Sequence, residues 1–434
     1  MRRPASPPSE PVPVTITRIG ADGDGIGLLP DGTPVYVPFT LPGETVQAHL
    51  TGKRGDGFSA AIERIEKPSP ARITPPCRHF SACGGCALQH WQQESYLAWK
   101  SSLLESALHR AGFSEPGKNA IHRAPPATRM RMDLALRRDP GKIHVGLHRA
   151  RTTEIIDLEE CPVLHPTLTA LIAPLRKMLA NLRALHREGT AAVNLLTSGP
   201  DLLLRTDAEP NTADRTTLTE FARAHNLPRI SWARGNGTTE PICVLRPALT
   251  DLSGISVSPP PGAFLQATQA GESAIVAAIL AALPEKLTRK AKMAELYAGC
   301  GTLTFAIAAR ARVDAWEGDE AAIAALRLAA GQGGFGGRVV ATQQDLTRQP
   351  IQAKQLAKYA AVVLDPPFAG AASQVAEIAA SRVPRVIYVS CNPAALARDA
   401  RVLAQAGYHL VSATPIDQFL WSARLESVVV LTRD

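Results

Sequence analysis

From about Ser256 onward, apolar β-rich runs alternate regularly with Ala- and Leu-rich helical runs. This alternation is typical of a doubly wound parallel sheet, with helices on both faces. It constrains the fold more than any other feature, because such sheets bind their ligands where the strands end, at the carboxyl edge. We therefore predict a Rossmann-like α/β domain over residues 256–434 and expect its functional side chains to follow the strands.

The first part of the chain has a different pattern, with short β runs separated by glycine turns. Five such runs between residues 12 and 66 predict a small β-barrel over residues 10–68, and the stretch "EKPSPARITPP" follows as a linker. Residues 69–255 combine a cysteine cluster, an amphipathic helix (Glu94 to Gly112) and arginine-rich strands, which predicts a central α+β domain. The start, "MRRPASPPSEPVP", lacks the apolar centre of a signal peptide and is predicted to be a disordered tail.

Charge and composition narrow the classes of function. The chain of 434 residues carries 47 Lys and Arg against 39 Asp and Glu, a formal charge of +8. This excess permits a polyanionic partner such as a nucleic acid without requiring one. No apolar run is long enough to span a bilayer, so we expect a cytoplasmic protein without membrane association, and a monomer. Seven cysteines in a reducing compartment favour metal binding or catalysis over disulfides.

A cysteine cluster is the strongest local motif. The stretch "CRHFSACGGC" contains three cysteines with the spacing C-x5-C-x2-C: Cys77, Cys83 and Cys86. A tetrahedral centre needs a fourth ligand, and Cys161 in "EECPV" is the best candidate. Four thiolates suit an iron–sulfur cluster or zinc. Because structural zinc usually uses two C-x2-C pairs, we favour [4Fe-4S]. In the zinc case His79 or His90 could substitute as a ligand.

A glycine turn begins the chemistry of the α/β region. In "KMAELYAGCGTLTFAIAAR" an apolar strand enters the turn Gly299 to Gly301 and a helix leaves it, so backbone N–H groups can approach a nucleoside. Glu317 ends the next strand, at a spacing close to that of a carboxylate that binds ribose hydroxyls. Asp345, in "QQDL", ends a third strand and could accept from an adenine amino group. No third glycine falls where a dinucleotide site needs one, so a pocket for S-adenosylmethionine fits better than one for NAD.

Three further motifs stand at strand ends in this region. "AVVLDPPFAGAA" places Asp365 after an apolar run, with two prolines that fix the exit of the chain. "YVSCNPAALARD" places Cys391 where a β run stops, at the edge where chemistry usually happens in open sheets. "ARLESVVVL" places Glu426 immediately before the last strand. Taken one at a time, these residues do not indicate an active site, because a cysteine is often only a small buried hydrophobic residue.

Together these motifs resemble the RNA 5-methyluridine methyltransferase family, in particular its bacterial 23S ribosomal RNA branch. The resemblance covers nearly the whole chain: an N-terminal TRAM barrel of the oligonucleotide-binding type, C-x5-C-x2-C with a distant C-P-V, F-x-Q, a methyl-donor loop, D-P-x-x-x-G, S-C-N-P and L-E-S. It implies that Cys391 is a nucleophile and Glu426 a base. It implies the cluster ligands Cys77, Cys83, Cys86 and Cys161. It implies an S-adenosylmethionine site formed by Gln266, Tyr297, Thr302, Glu317, Asp345 and Asp365.

The chain departs from the family at two positions. Phe368 stands where members commonly have a basic residue, which leaves one phosphate or base contact open. Thr268 replaces a polar amide that would follow F-x-Q.

The implied chemistry explains why a thiol and a carboxylate are both needed. Carbon 5 of uracil is a poor nucleophile towards a sulfonium methyl, and a thiolate that adds to carbon 6 creates an enolate whose carbon 5 can attack. The methylated adduct must then lose its carbon 5 proton to a base before the thiolate leaves. The target uridine must be splayed or flipped out of folded RNA, and Asn392 could hydrogen-bond the uracil edge.

RNA affinity is expected from a basic segment over residues 122–151, "HRAPPATRMRMDLALRRDPGKIHVGLHRAR". Its cations are Arg123, Arg129, Arg131, Arg137, Arg138, Lys142, Arg149 and Arg151. The alternative interpretation is that they cover the exposed face of an amphipathic sheet. The barrel would add a second RNA surface by resemblance.

Three other functions compete with methylation of a uridine in 23S rRNA. The substrate could be transfer RNA. "DPPF" also resembles the motif of amino-methyltransferases, but those enzymes attack a nitrogen directly and would leave Cys391 and Glu426 unexplained. A non-catalytic RNA-binding protein would not need the methyl-donor loop.

Overall fold

The computed structural model describes residues 10–114, 119–284 and 291–433. Most of the predicted N-terminal tail lies outside these residues. The chain divides into two compact units. The first runs to Leu103 and also contains Arg149–Thr152 and Trp421–Arg424. The second contains Leu104–His148, Thr153–Leu420 and the residues from Leu425 onward.

A closed five-stranded barrel begins the first unit, in the order β1-β2-β3-β5-β4. Its strands are β1 (Val12–Ile19), β2 (Gly25–Leu28), β3 (Pro34–Val37), β4 (Thr45–Arg54) and β5 (Gly57–Lys67). Alternate side chains of β1 and β4 point inward, and Val14, Val35 and Val46 are fully buried in the barrel core. Gly27 must be glycine, because a Cβ there would lie 2.4 Å from the Val14 side chain. The predicted small barrel is confirmed.

Residues 68–92, which include the cysteine cluster, contain no named helix or strand. An antiparallel bridge between Arg72 and Trp91 closes this stretch. The helix α1 (Gln93–Ala111) follows, close to the predicted helix.

The second unit contains a seven-stranded sheet, in the order β13-β12-β11-β10-β7-β8-β9. The elements of this part of the chain are β6 (His122–Arg123), β7 (Arg131–Asp139), β8 (Lys142–His148), β9 (Ile155–Asp157), α2 (Pro166–Asn181), β10 (Glu188–Leu196), β11 (Gly199–Thr206), α3 (Thr212–Ala224), β12 (Arg229–Arg234), β13 (Glu240–Val244), β14 (Thr250–Leu252) and β15 (Ile255–Val257). Neighbouring strands are antiparallel except β11 and β12, which are parallel and connected through α3. The predicted mixture of helices and arginine-bearing strands is confirmed here.

A second, eight-stranded sheet of this unit has the order β18-β17-β16-β19-β20-β22-β21-β6 among the described residues. Its remaining elements are α4 (Gln269–Ala282), β16 (Lys292–Leu296), α5 (Thr302–Ala308), β17 (Arg312–Glu317), α6 (Glu320–Gln332), β18 (Val339–Gln343), α7 (Ala353–Leu356), β19 (Ala361–Leu364), α8 (Ala372–Ser381), β20 (Arg385–Ser390), α9 (Pro393–Gln405), β21 (His409–Asp417) and β22 (Glu426–Thr432). The strands β16 to β20 are parallel, as predicted. The last strand, β22, was also predicted, but as part of a parallel sheet, whereas it inserts antiparallel between β20 and β21.

Apolar side chains form most of the core of this sheet. Ile275 and Ile279 on α4, Phe305 on α5 and Leu326 on α6 are all at most 1% exposed. Full burial of each such side chain contributes roughly 1.5–3 kcal/mol. The rigid layer that results holds the strand ends, and the loops that follow them, in fixed positions.

The edge strand β6 comes from a distant part of the chain. Its two residues pair in parallel with Ile416 and Asp417 of β21. The sheet that was predicted to begin near residue 256 therefore includes residues 122–123.

Across the described residues, no helix is both long enough and apolar enough to cross a membrane.

Candidate active site

The turn after β16 has an unusual backbone. Tyr297, Gly299 and Gly301 have φ values of 66°, 54° and 100°. A Cβ at Gly301 would lie 2.7 Å from the Phe305 ring, so glycine is required there. The turn delivers the chain to α5, whose first residue is Thr302. Burial raises the pKa of Tyr297 to about 12, so its phenol stays protonated.

Glu317 is fastened to this turn. It is the last residue of β17, and its Oε2 accepts from the Gly299 N–H at 2.9 Å. Its Oε1 accepts from the Asp319 N–H at 2.7 Å. The carboxylate is thus oriented by the backbone beside the glycine turn, where the sequence predicted a nucleoside-binding group.

Asp345 lies two residues beyond β18 and supports a turn. Its Oδ1 accepts from the N–H of Thr347 at 3.0 Å, and Arg348 lies 3.5 Å from its Oδ2. Its side chain is 52% exposed. Asp345 is therefore the least enclosed of the predicted donor-site residues.

The loop after β19 is tied to α9. The Asn392 side chain donates to the Phe368 carbonyl at 2.8 Å and accepts from the Ala394 N–H at 3.0 Å. Asp399 accepts from the Ala371 N–H at 2.7 Å. Each end of the Asn392 amide therefore makes one contact inside the protein, and the predicted contact with uracil would use its second N–H or the second lone pair of its oxygen. The Phe368 side chain is 49% exposed on this loop.

Cys391 and Glu426 both lie next to the last pair of a strand ladder. Ser390, the last residue of β20, pairs with Ser427 in antiparallel register. This is the last pair of the ladder, and Cys391 and Glu426 are the residues that directly follow and precede it in the two strands. If the register continued by one residue, the two would lie opposite each other, within reach of one another. Cys391 is half-buried and Glu426 is 4% exposed. Glu426 is the first residue of β22, not the residue before it as predicted. We call the space at the carboxyl ends of β16, β17, β19 and β20, together with the start of β22, the strand-end crevice.

Four side chains form what we call the glutamine network. Gln418 Nε2 donates to Gln266 Oε1 at 2.8 Å and to Glu426 Oε2 at 2.9 Å. Gln266 Nε2 approaches Asp365 Oδ2 at 3.4 Å. Burial raises the pKa of Asp365 to about 7. Burial, and then the negative charge of Asp365, raise the pKa of Glu426 well above its usual value. Such shifted carboxyls are suited to proton transfer near neutral pH.

A cavity of about 470 Å³ lies beside Gln266. Its polar lining includes Arg131, Asn194 and Glu272. The side chain of Thr268, one of the departures from the family, accepts from the Gly271 N–H at 3.0 Å and so caps α4 next to this cavity.

Sequence reasoning missed two residues of the strand-end crevice. Glu295 lies on β16 and is 1% exposed, and among the described residues neither of its carboxyl oxygens has a hydrogen-bond partner of normal geometry. Burial raises its pKa to about 8. A glutamate inside the apolar run "KMAEL" was the available signal. Gln418 directly follows β21, which ends in "ATPID". A polar side chain at the end of a strand was the available signal here.

Comparisons with known proteins show which family the chain belongs to. A TRAM domain model matches residues 10–55, and the tRNA (Uracil-5-)-methyltransferase family model matches residues 338–434. The 23S rRNA (uracil(1939)-C(5))-methyltransferase RlmD of Chromohalobacter salexigens is 34% identical over 433 residues, which cover 97% of this chain and 89% of that protein. A protein of Caulobacter vibrioides named as an RNA methyltransferase is 40% identical over 424 residues, with 97% and 99% of the two chains covered. The chain belongs to the RNA uracil-C5 methyltransferase family.

A solved structure shares the fold of this methyltransferase. The tRNA (uracil-54, C5)-methyltransferase of Pyrococcus abyssi, in complex with S-adenosyl-L-homocysteine, superimposes with a TM-score of 0.72 at 20% identity and covers 97% of this chain and 99% of that one. The protein is therefore an S-adenosylmethionine-dependent RNA (uracil-C5)-methyltransferase, as the resemblance predicted. The alternative of an amino-methyltransferase is not supported.

The methyltransferase also carries the predicted cysteine loop, residues 77–86, in its first unit. Its three cysteines are half-buried, and the Gly85 N–H lies 3.4 Å from the Cys83 sulfur. Cys161 is half-buried in the second unit. The donor chemistry fits a thiolate-bound centre, but no group of three His, Cys, Asp or Glu side chains in the described ranges is arranged to hold a metal ion.

Within the basic segment, several cations are engaged by the protein itself. The Arg138 guanidinium donates to the carbonyls of Leu179, Ala180, Leu182 and Leu185, at and beyond the C-terminus of α2. Arg137 donates to Glu188 at 3.1 Å. Arg131 lies 3.1 Å from Asp133 and 5.3 Å from the centre of the Phe264 ring. Arg138 thus stabilises a helix end, in contrast to its predicted place in a phosphate track.

Proposed function

We propose that this enzyme methylates carbon 5 of a uridine in 23S rRNA through a covalent bond between Cys391 and the uracil. The observation that supports the proposal is the register of β20 and β22, whose last pair, Ser390 with Ser427, is directly adjacent in sequence to Cys391 and to the buried Glu426. The choice of 23S rRNA is supported by the relative of Chromohalobacter salexigens, whose name specifies uracil 1939 of that RNA.

In this mechanism Cys391 acts first. Its thiolate adds to carbon 6 of the uracil, and the ring electrons move to carbon 5 and the carbonyl oxygen. Bound S-adenosylmethionine supplies an electrophilic sulfonium methyl group. Once carbon 5 has taken the methyl, Glu426 removes its proton, the ring double bond reforms and the bond between carbon 6 and Cys391 breaks. Glu426 must be ionised for this step, and its raised pKa makes it a stronger base than an exposed glutamate.

We propose that the methyl donor binds along the turn after β16. The group comprises the predicted residues Gln266, Tyr297, Thr302, Glu317, Asp345 and Asp365. Support comes from the N–H groups at the start of α5 and from Glu317, which is oriented beside the glycine turn. The exposure of Asp345 makes its contribution the smallest of the set.

For the cysteine loop we propose an iron–sulfur cluster held by Cys77, Cys83, Cys86 and Cys161, as the family resemblance implies. The N–H of Gly85 near the Cys83 sulfur is the kind of contact that stabilises a thiolate. A zinc centre with His79 or His90 is the alternative. No catalytic step depends on the cluster in this proposal.

We further propose that three regions divide the work. Residues 10–68 and the basic segment within residues 69–255 contact RNA, and residues 256–434 contain the residues that perform the chemistry. The experiment that separates ribosomal from transfer RNA is the mapping of 5-methyluridine in both RNAs from a deletion strain. Loss of the base from transfer RNA alone would overturn the choice of substrate.

The covalent mechanism is tested with two variants. Cys391→Ala is expected to give neither covalent RNA nor product while S-adenosylmethionine still binds. Glu426→Gln keeps the size of the side chain and removes its basicity, so attack and methylation can occur and elimination stalls. A denaturing gel should then show protein crosslinked to RNA that requires both RNA and S-adenosylmethionine. Cys243→Ala, at a half-buried cysteine on β13, is the control and should be fully active. Activity of Cys391→Ala would overturn the thiol mechanism.

A further inference from the structure

Gln418 is a buried residue between Glu426 and Gln266. It is 1% exposed and directly follows β21. On one side it contacts Glu426, the base in the proposed mechanism, and on the other Gln266, from the predicted methyl-donor site. Neither contact could be predicted from the residue type of Gln418 or from the sequence motifs.

The orientation of the Gln418 amide is fixed by its partners. The Ala267 backbone N–H, which can only donate, lies 3.1 Å from Gln418 Oε1. The Nε2 atom must therefore face the other two partners, and its two hydrogens go to Gln266 Oε1 and Glu426 Oε2. Because Gln266 Oε1 accepts, the Nε2 atom of Gln266 turns towards Asp365. The Ala267 N–H thus fixes the orientation of the Gln418 amide, and the Gln418 amide in turn fixes that of Gln266.

This arrangement distinguishes the two oxygens of Glu426. Oε2 accepts from Gln418, whereas Oε1 is buried and, within the part of the chain that the structure describes, has no hydrogen-bond partner. A carboxylate held by one oxygen presents the other one for proton transfer. We propose that Gln418 is a positioning residue that directs Glu426 Oε1 towards the carbon 5 proton and stabilises the ionised base. This inference rests on the proposed role of Glu426.

The charges around Glu426 show why a donor is needed there. Besides Glu426, the titratable groups described in the crevice are Glu295 on β16, Tyr297 after it, Glu317 at the end of β17, Asp365 after β19 and Cys391 after β20. Burial, followed by the charge of Asp365, raises the pKa of Glu426, and hydrogen bonds from Gln418 and then from the Ser427 backbone lower it. A hydrogen bond to a charged group is about twice as strong as one between neutral groups. Without Gln418, Glu426 would hold its proton to a higher pH and would be a base over a narrower range.

The experiment measures the decay of the covalent protein–RNA adduct as a function of pH, because this step alone needs the ionised base. In wild-type protein the decay rate should fall as the pH drops below the pKa of Glu426. In Gln418→Met this acid limb should move upward by about one pH unit, so that decay is roughly tenfold slower on the limb and recovers at higher pH. Binding of S-adenosylmethionine should change less.

A matched control and a second variant keep the test decisive. Gln374, on α8, is also 1% exposed, and its side chain exchanges two hydrogen bonds with the backbone of Ile351. Gln374→Met should therefore lower stability without moving the acid limb. Gln418→Glu keeps the shape of the side chain and adds a negative charge beside Glu426, so it should move the limb in the same direction and further. It serves as the test if Gln418→Met does not fold.

The outcomes separate this inference from the proposed function. A wild-type enzyme without an adduct or without an acid limb would contradict the role of Cys391 or Glu426. A wild-type acid limb that stays in place in a folded Gln418 variant would overturn the role of Gln418 alone. A shift that also appears in Gln374→Met would assign the effect to general loosening of the core and would likewise overturn it.

Discussion

The cysteine loop and the strand-end crevice hold their reactive side chains in different ways. The loop lies in a stretch without helix or strand, and its thiols are half-buried. In the crevice, Gln266, Gln418 and Glu426 are each at most 9% exposed, and hydrogen bonds of 2.8 to 2.9 Å join them. The crevice is thus organised by the sheet and by its own polar contacts. The loop has thiols suited to a metal, yet no three donors are grouped for one among the described residues.

This difference separates two kinds of preorganisation. In the crevice, folding alone sets the geometry, and substrate binding has little left to order. In the loop, a bound cluster would itself supply part of the geometry, so that metal binding and folding would be coupled. The predictions below test each side of this contrast.

The largest effect is expected in the cysteine loop. Cys83→Ser should abolish iron binding and most of the soluble protein, because the proposed cluster links parts of the chain that no regular element joins. The measurements are iron content and the thermal unfolding midpoint of protein prepared without oxygen. Cys243→Ser changes a half-buried thiol on β13 and is the matched control. Equal unfolding midpoints for the two variants would show that the cysteine loop, like the crevice, keeps its structure without a bound cluster.

Within the crevice, Asp365→Asn should weaken binding of S-adenosylmethionine roughly tenfold to a hundredfold, since hydrogen bonds to a charged group contribute about 1.5–3 kcal/mol. The fold should survive because asparagine has the same shape. Isothermal titration against Asp345→Asn provides the comparison. Asp345 is exposed and supports a local turn, so its replacement should matter less. The reverse ranking would remove Asp365 from the donor site.

Glu295 should make the stability contributed by the crevice depend on pH, which we do not expect of the cysteine loop. Its folded-state pKa of about 8 exceeds the ordinary value of 4.5, so the folded protein keeps a proton that the unfolded chain releases between these values. Stability should therefore be fully present below pH 4.5 and fall as the pH rises towards 8. Glu295→Gln should reduce this loss by on the order of 1–3 kcal/mol between pH 5 and 8. Urea unfolding at both pH values measures it, and parallel curves for the two proteins would refute it.

The smallest effect concerns two adjacent arginines of the basic segment. Arg138→Ala should cost roughly 1–2 kcal/mol of stability, because its guanidinium satisfies carbonyls at and beyond the end of α2. It should leave the salt dependence of RNA binding unchanged. Arg137→Ala should have little effect on stability and, if Arg137 contacts phosphate, should reduce the log–log salt slope by about 0.7 to 0.9. Equal slopes for both variants would assign Arg137 to the protein as well.

Strand ends explain how much of the crevice could be predicted. Glu317, Asp365 and Cys391 lie at the ends of apolar runs that can be recognised in the sequence as buried strands. Their place at the edge of the sheet could therefore be predicted. The bond between Gln418 and Gln266 joins residues 152 positions apart and depends on how β22 inserts into the sheet. Arg138 looked like a phosphate contact because the carbonyls that it binds lie more than 40 residues away. Local patterns locate side chains along the chain, but the partners of those side chains are set by tertiary structure.

The two residues of β6 also matter for anyone who would separate the catalytic part of this chain from the rest. They cover the outer edge of β21. A fragment that began at residue 256 would expose the N–H and C=O groups of that edge, and an open strand of this kind recruits strands from other molecules. A portable catalytic fragment, for example one fused to a guide that directs it to a chosen RNA, should therefore retain the chain from about residue 119 onward.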